Sequence, residues 1–303
     1  MSADTAPAAT ADWPVIPPEK LVSRLVKLLD VEALEGDLFR GMRLPGGQGR
    51  VFGGQVIAQA LMAASRTVDA DRSAHSLHAY FMRPGDEELP IEYQVQRDYQ
   101  GRSFTTRRVV ATQAGQPILN LSASFQTFEE GLAHQSTMPD VPPPEDLLSD
   151  ADHVRAAGSG VPERIARFLT RPRAIETRPV TRRSPFEPVK REPLQYSWFR
   201  AVAPASDDPV MQRAILAYAS DMALLSTCTL PHGVNWLTQK LQSASLDHSL
   251  WIHEPFRIDD WLLYATDSPW AGHGRGFNRG QIFSRDGRLV ASTAQEGLIR
   301  LRE

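Results

Sequence analysis

An α+β chain of two tandem repeats, each an antiparallel sheet wrapped around a central helix, is the fold this sequence predicts, and three observations predict it. His75-Ser76-Leu77 recurs as His248-Ser249-Leu250, and Gly101-Arg102-Ser103-Phe104 recurs as Gly274-Arg275-Gly276-Phe277, both 173 residues later. Val56 to Ser65 is apolar almost all round, so a helix there has no solvent face and must be enclosed by other structure. Strand-like runs follow it, separated by turns too short for parallel crossovers.

Taken in order, residues 1–17 read as a flexible leader and residues 18–128 as the first repeat. From Pro18, the apolar positions Leu21, Val22, Leu25, Val26, Leu28 and Leu29 alternate with Lys20, Arg24 and Lys27 at helical spacing, which predicts an amphipathic helix. Asp37 to Leu44 reads as a first strand ended by Pro45-Gly46-Gly47. After the apolar helix come strands at His75–Met82, Ile91–Gln100, Ser103–Gln113 and Pro117–Phe128.

Residues 129–192 form a proline-rich linker, with Pro142-Pro143-Pro144, a helix over Val161–Leu169 and a basic run from Arg171-Pro172-Arg173 to Arg182-Arg183-Ser184-Pro185. The second repeat, 193–303, starts with a strand at Leu194–Val202 and a helix over Val210–Thr227. Strands follow near Asp247–His253, Trp261–Asp267, Gly276–Ser284 and Leu289–Arg300. Gln55 aligns with Asp221 at a shift of 166 rather than 173, so the extra residues fall near Leu230-Pro231-His232-Gly233, a loop placed to rim a site.

Composition narrows the function classes. With 42% apolar and 23% charged residues the chain is globular, and a net charge of −3 without a basic block on any expected helix excludes the footprint of a nucleic-acid binder. Cys228 is the single cysteine, which excludes a disulfide framework and a cysteine-rich metal site and points to a reducing, cytoplasmic setting. The first 13 residues lack the basic and apolar regions of a signal peptide. No uninterrupted apolar stretch approaches the roughly 20 residues a membrane helix needs, so no membrane partner is expected.

Asp221 is the strongest candidate for chemistry. It lies among Ile215, Leu216, Ala217, Met222, Ala223, Leu224 and Leu225, and a carboxylate in such company has its pKa pushed up. In the other repeat Gln55 stands in its place, so one copy keeps the scaffold while the other supplies a charge. Gln295 shares a strand face with Leu289, Ala291, Thr293, Gly297 and Ile299, an inward face on which an amide needs a buried partner. Taken alone, that spacing favours a satisfied core glutamine. Glu296 points the other way.

Other motifs read as structural. Asp247-His248-Ser249 suggests a catalytic triad, but strand neighbours point to opposite faces, so His248 cannot reach both. His75-Ser76 lacks the preceding Asp, which favours a structural histidine in both copies. No Gly-x-Ser-x-Gly elbow occurs, and Cys228 reads as a small core residue. The glycines at 46, 47, 49, 53 and 54 fit no phosphate-binding fingerprint; they bring backbone close to a ligand or a helix. Arg102, Arg107, Arg275 and Arg279 fit a solvated strand face as well as a phosphate site.

Five motifs in order carry a family resemblance. These are Val51-Phe-Gly-Gly-Gln-Val-Ile-Ala-Gln-Ala-Leu, His75-Ser-Leu-His-Ala-Tyr-Phe-Met-Arg-Pro-Gly-Asp, Tyr218-Ala-Ser-Asp, Asp247-His-Ser-Leu-Trp-Ile-His and Ala291-Ser-Thr-Ala-Gln-Glu-Gly. From about Leu21 to Arg300, the linker apart, the chain resembles the acyl-CoA thioesterase II family, which implies a double hotdog fold. The resemblance implies acyl-CoA as substrate, a homo-oligomer (dimer or tetramer), and neither metal nor cofactor. It also implies that a carboxylate, a hydroxyl and an amide position the attacking water without a covalent intermediate.

The family's aspartate falls on Asp221, its glutamine on Gln295 and its threonine on Ser245, where serine keeps the hydroxyl but loses the rotamer-restricting methyl. Strand parity conflicts with Ser245, because Ala244, Leu246, His248 and Leu250 form the apolar face. Either the strand starts after Ser245 or a bulge re-aims it. Two other readings are a hotdog hydratase or dehydratase, which wants an Asp/His pair, and a non-catalytic acyl-CoA-binding protein.

Overall fold

The computed structural model describes residues 13–43, 49–157, 161, 163–180, 189–234 and 241–302. Most of the expected leader, the Pro45-Gly46-Gly47 turn and the Arg182–Pro185 run lie outside the described residues.

In the first half, α1 (Pro18–Leu29) starts with proline at its first position and buries Val22, Leu25, Leu28 and Leu29 along one stripe. The expected strand over Asp37–Leu44 is shorter, β2 (Leu38–Gly41), and it pairs with an earlier strand that periodicity missed, β1 (Val31–Ala33). Gly36 and Asp37, both at positive φ, make the reversal between them. The apolar helix is α2 (Gly53–Ser65), buried from Gly54 to Ala64. Four strands follow it: β3 (Arg72–Phe81), β4 (Ile91–Gln100), β5 (Phe104–Gln113) and β6 (Gln116–Thr127). They enclose α2 with a core of Leu77, Ile91, Tyr93, Val109, Leu119, Leu121 and Phe125. Each such side chain contributes about 1.5–3 kcal/mol on full burial.

Between the halves lie α3 (Asp150–Ala157), α4 (Glu163–Thr170) and β7 (Ile175–Pro179). β7 pairs with β8 (Leu194–Ala201) at the end of the sheet, a place that tolerates Pro179 because one edge needs no ladder donors. Upstream, Met138, Val141 and Leu147 pack on Trp198, Trp261, Leu263 and Phe283, and the Trp198 indole donates to the Pro142 carbonyl at 2.9 Å. The proline-rich segment thus covers the outer face of the second half's sheet.

The expected helix over Val210–Thr227 is broken. α5 (Pro209–Ser220) is capped at its start by Asp208, whose carboxylate accepts from Val210 N–H, and it ends at Asp221. Ala223 adopts a left-handed backbone (φ 62°), and the chain continues as a 3₁₀ run over Leu224–His232. That run, rather than α5, occupies the hollow of the second half's sheet, while α5 packs on α2. Pro209–His232 is apolar and long enough to pass for a membrane span by composition, yet it comprises these two elements, mostly buried inside the fold.

The remaining strands are β9 (Leu241–Ser245), β10 (Asp247–Ile252), β11 (Leu262–Gly272), β12 (Arg275–Ser284) and β13 (Leu289–Leu301). The thirteen described strands form one antiparallel sheet, in the order β1-β2-β4-β5-β6-β3-β10-β13-β12-β11-β8-β7, with β9 on β13. The halves join where β3 meets β10, and Leu77 lies opposite Leu250 there. Those two residues are copies at the 173 shift. Phe52 and Tyr218, copies at the 166 shift, touch edge-to-face at 5.0 Å between ring centroids. Both pairs mark a pseudo-twofold axis, which explains why two different shifts describe one duplication.

Candidate active site

Asp221 sits where α5 gives way to the 3₁₀ run, with its side chain only 5% exposed. The start of α2, from the other half of the molecule, is pressed against it. The Gly54 backbone N–H donates to the carboxylate. A Cβ on Gly53 would stand 2.8 Å from Asp221 Oδ2 and 2.9 Å from the Phe81 ring, and one on Gly54 would stand 2.5 Å from the Tyr218 carbonyl oxygen. Glycine is required for this approach. The first turn of α2 carries no side-chain cap; its Gly54 N–H meets the Asp221 carboxylate while Gln55 and Val56 N–H bond the Phe52 carbonyl, so the positive dipole end faces the anion.

Gln295 and Ser245 complete the arrangement. Gln295 Nε2 donates to Asp221 Oδ1 at 2.6 Å and to Ser245 Oγ at 2.9 Å, and the Ser245 hydroxyl in turn donates to Asp221. The carboxylate therefore collects an amide, a hydroxyl and a backbone N–H. Burial nevertheless outweighs these donors and pushes its pKa up to about 6.

Ser245 reaches this position through a bulge. From Ser245 to Ser249 the chain takes four steps, while its partner takes three from Gly297 to Ala294. Leu246 N–H bonds the Glu296 carbonyl, and Asp247 Oδ1 accepts from Glu296 N–H. The extra residue reverses strand parity, so Ser245, His248 and Leu250 share the inner face. Of the two ways out of the parity conflict, the bulge is the one observed.

The three residues of the rejected triad go to three different partners. Asp247 holds Glu296 N–H, Ser249 Oγ meets His78 Nδ1 at 3.0 Å, and His248 Nε2 meets Ser220 Oγ at 2.9 Å. Gln55 lies buried in the first turn of α2, where its amide donates to the Met42 carbonyl at 3.2 Å. Arg107 is not on a solvated face. It is fully buried and donates to Thr67, Tyr99, Thr106 and Gln100, binding the end of α2 to the sheet. Cys228 is buried and free, as expected of a small core residue. Among the described residues no His, Cys, Asp and Glu group has the makings of a metal site.

Sequence reasoning missed two participants. The Gly53-Gly54 pair was legible as a place of close backbone approach, but not as the neighbour of Asp221. His248 read as structural, yet its Nδ1 stands 4.0 Å from Asp221 Oδ1. A groove of about 570 Å³ elsewhere on the second half is lined by Arg200, Arg257, Arg285 and Arg288, but neither Asp221, Ser245 nor Gln295 borders it. Its arginines are already paired with Glu176, Asp207, Asp259, Glu145 and Asp286.

Two hotdog halves joined along the β3–β10 seam define the class as a double hotdog-fold protein. Comparison with known proteins narrows it. Residues 167–298 match the model of the family described as acyl-CoA thioesterase, and residues 43–126 match the acyl-CoA thioesterase N-terminal domain. Acyl-CoA thioesterase 2 of Haemophilus influenzae is 40% identical over 283 residues, 93% of this chain and 99% of that protein. Acyl-coenzyme A thioesterase 8 of Homo sapiens is 43% identical over 296 residues, 94% of this chain and 92% of that protein. The crystal structure of acyl-CoA thioesterase II TesB2 from Mycobacterium marinum superposes with a TM-score of 0.74 at 38% identity, covering 92% of this chain and 98% of that one. The chain belongs to the acyl-CoA thioesterase family, a family of thioester hydrolases.

Proposed function

We propose that this protein hydrolyses fatty acyl-CoA to free fatty acid and coenzyme A by direct attack of a water held by Asp221, Gln295 and Ser245. The observation that carries this reading is the convergence of two side chains, Gln295 and Ser245, and the Gly54 N–H on the buried Asp221 carboxylate. With a pKa near 6, Asp221 is ionised at neutral pH yet basic enough to take a proton from water as it attacks, a contribution of roughly 10²- to 10⁴-fold. The water oxygen bonds to the thioester carbonyl carbon as its proton moves to Asp221. The carbon–sulfur bond then breaks, and that proton passes to the leaving sulfur. Gln295 and Ser245 hold the carboxylate in place, and the Gly53 N–H at the start of α2 is the candidate to stabilise the oxyanion.

The 4.0 Å approach of His248 to Asp221 supplies an Asp/His pair such as a hydratase or dehydratase uses. Against that second reading, the His248 ring is 0% exposed and its Nε2 is tied to Ser220, so it cannot meet substrate. The deciding experiment offers acyl-CoAs of graded length and an enoyl-CoA to the wild type and to Asp221→Asn. Release of thiol by the wild type alone supports hydrolysis by Asp221. Water addition to the enoyl thioester supports a hydratase, and binding without turnover supports a carrier.

Two further elements belong to the proposal. A homo-oligomer, dimer or tetramer, is suggested by edge strands β1 and β7, which end the sheet among the described residues, and light scattering at micromolar concentration tests it. A cytoplasmic location follows from the lone reduced Cys228.

A further inference from the structure

The mechanism leaves unused a buried histidine beside Asp221. His248 is fully enclosed, and its tautomer can be read from its neighbours. Ser220 Oγ lies 2.9 Å from both the Ala217 carbonyl and His248 Nε2, and its one proton satisfies both contacts when it goes to the carbonyl and the ring donates from Nε2. The ring proton therefore sits on Nε2. Nδ1 is left as a bare lone pair without a hydrogen-bond partner, facing Asp221 Oδ1 at 4.0 Å.

The duplicated copy makes the orientation informative. In the first half the extra strand residue falls between Ala74 and Ser76, at His75 itself, whose ring lies partly exposed beside Phe104 and meets Ser124 Oγ at 2.9 Å. In the second half the extra residue falls between Ser245 and Ser249, and His248 turns inward. The repeat keeps His-Ser-Leu in both copies but aims the ring inward only where the carboxylate is.

We propose that His248 is a positioning residue for the hydrolysis: with its proton held on Nε2 by Ser220, it keeps a lone pair facing Asp221 that disfavours the bare carboxylate and favours its protonated form. The inference rests on Asp221 being the base. When water attacks, its proton goes to Asp221 and the carboxyl O–H turns toward Nδ1. When the carbon–sulfur bond breaks, that proton leaves Asp221 for the sulfur. His248 neither gains nor loses a proton in the cycle, consistent with burial holding its pKa down at about 4. Two other titratable groups face Asp221, Tyr218 from α5 and Tyr264 from β11, both phenols that burial keeps protonated. From α2 come Gly53 and Gly54, from β13 Gln295 and from β9 Ser245, all uncharged.

The test is the pH profile of kcat and KM for the wild type, His248→Gln and Asp221→Asn. Glutamine keeps an amide near Ser220 but has no atom at the Nδ1 position. The expected result for His248→Gln is an acid-limb midpoint lower by about one pH unit, a plateau kcat lower by about 10-fold, and an unchanged KM. An unmoved midpoint, with Asp221→Asn inactive, overturns the role of His248 alone. An active Asp221→Asn overturns the reading beneath it. Should His248→Gln not fold, nitrogen NMR of wild-type protein labelled on histidine decides: a neutral His248 with its proton on Nε2 from about pH 5 to 8 supports the proposal. A proton on Nδ1, or a ring that titrates in that window, overturns it.

Discussion

Asp221→Asn should abolish hydrolysis and, at alkaline pH, make the protein more stable. The unfolded chain ionises this aspartate near the ordinary value of 3.8, while the folded protein raises it to about 6. Between those values the folded state holds a proton that the unfolded state has released. Stability from this group is therefore complete below about pH 4 and is lost as pH rises through about 6. Two units correspond to about 3 kcal/mol of strain carried by the ionised form. Asparagine removes the charge and keeps an acceptor for Gln295, although one donor among Gly54 and Ser245 loses its partner, so a net gain of up to about 2 kcal/mol is expected at pH 8. That is a rise of several degrees in melting temperature. At pH 4.5 the gain should largely vanish. The assay is thermal unfolding of both proteins at the two pH values, beside thioesterase rates. A melting-temperature difference independent of pH would refute the raised pKa, and with it the reason for regarding Asp221 as a tuned base.

Gly53→Ala should lower kcat by at least 10-fold and cost about 1–3 kcal/mol of stability, because the new methyl meets Asp221 Oδ2 at 2.8 Å and the Phe81 ring at 2.9 Å; steady-state kinetics and thermal unfolding check this. Ser245→Thr should retain activity while Ser245→Ala loses about 10-fold in kcat, read by thiol release, since only the hydroxyl bonds the carboxylate. Arg107→Lys should destabilise by about 3 kcal/mol, measured by denaturant unfolding, with kcat per folded molecule unchanged, because an ammonium cannot serve Thr67, Tyr99, Thr106 and Gln100 at once. Gly276→Ala should cost about 1–3 kcal/mol by overpacking, since its Cβ would fall 2.3 Å from Cys228 Sγ.

What was legible in the sequence follows from what is local. β4, β5, β6, β12 and β13 announce themselves by alternation, and α2 by its lack of a polar face, so their bounds lie within a few residues of expectation. The break at Asp221–Ala223 was illegible because Met222, Ala223, Leu224 and Leu225 continue a helical pattern; only tertiary packing imposes the left-handed Ala223. β1 was too short for periodicity to register. The inner face of β13 placed Gln295, whereas Ser245 sat on the wrong parity until the bulge was seen. His248 was dismissed by the correct argument that strand neighbours diverge. That argument examined Asp247 and Ser249, but its partners lie on the segment Ser220–Asp221, far away along the chain.

The pseudo-twofold axis between Leu77 and Leu250 carries a further consequence. In a symmetric pair of separate chains, every substitution would strike both copies of a site together. Covalent linkage of the halves lifts that constraint: glutamine at position 55 leaves the carboxylate at position 221 untouched. The surviving site still borrows from both sides of the axis, with Gly53 and Gly54 from one half and Asp221, Ser245 and Gln295 from the other. Neither half holds the whole of the proposed site, so the two halves have become specialised partners.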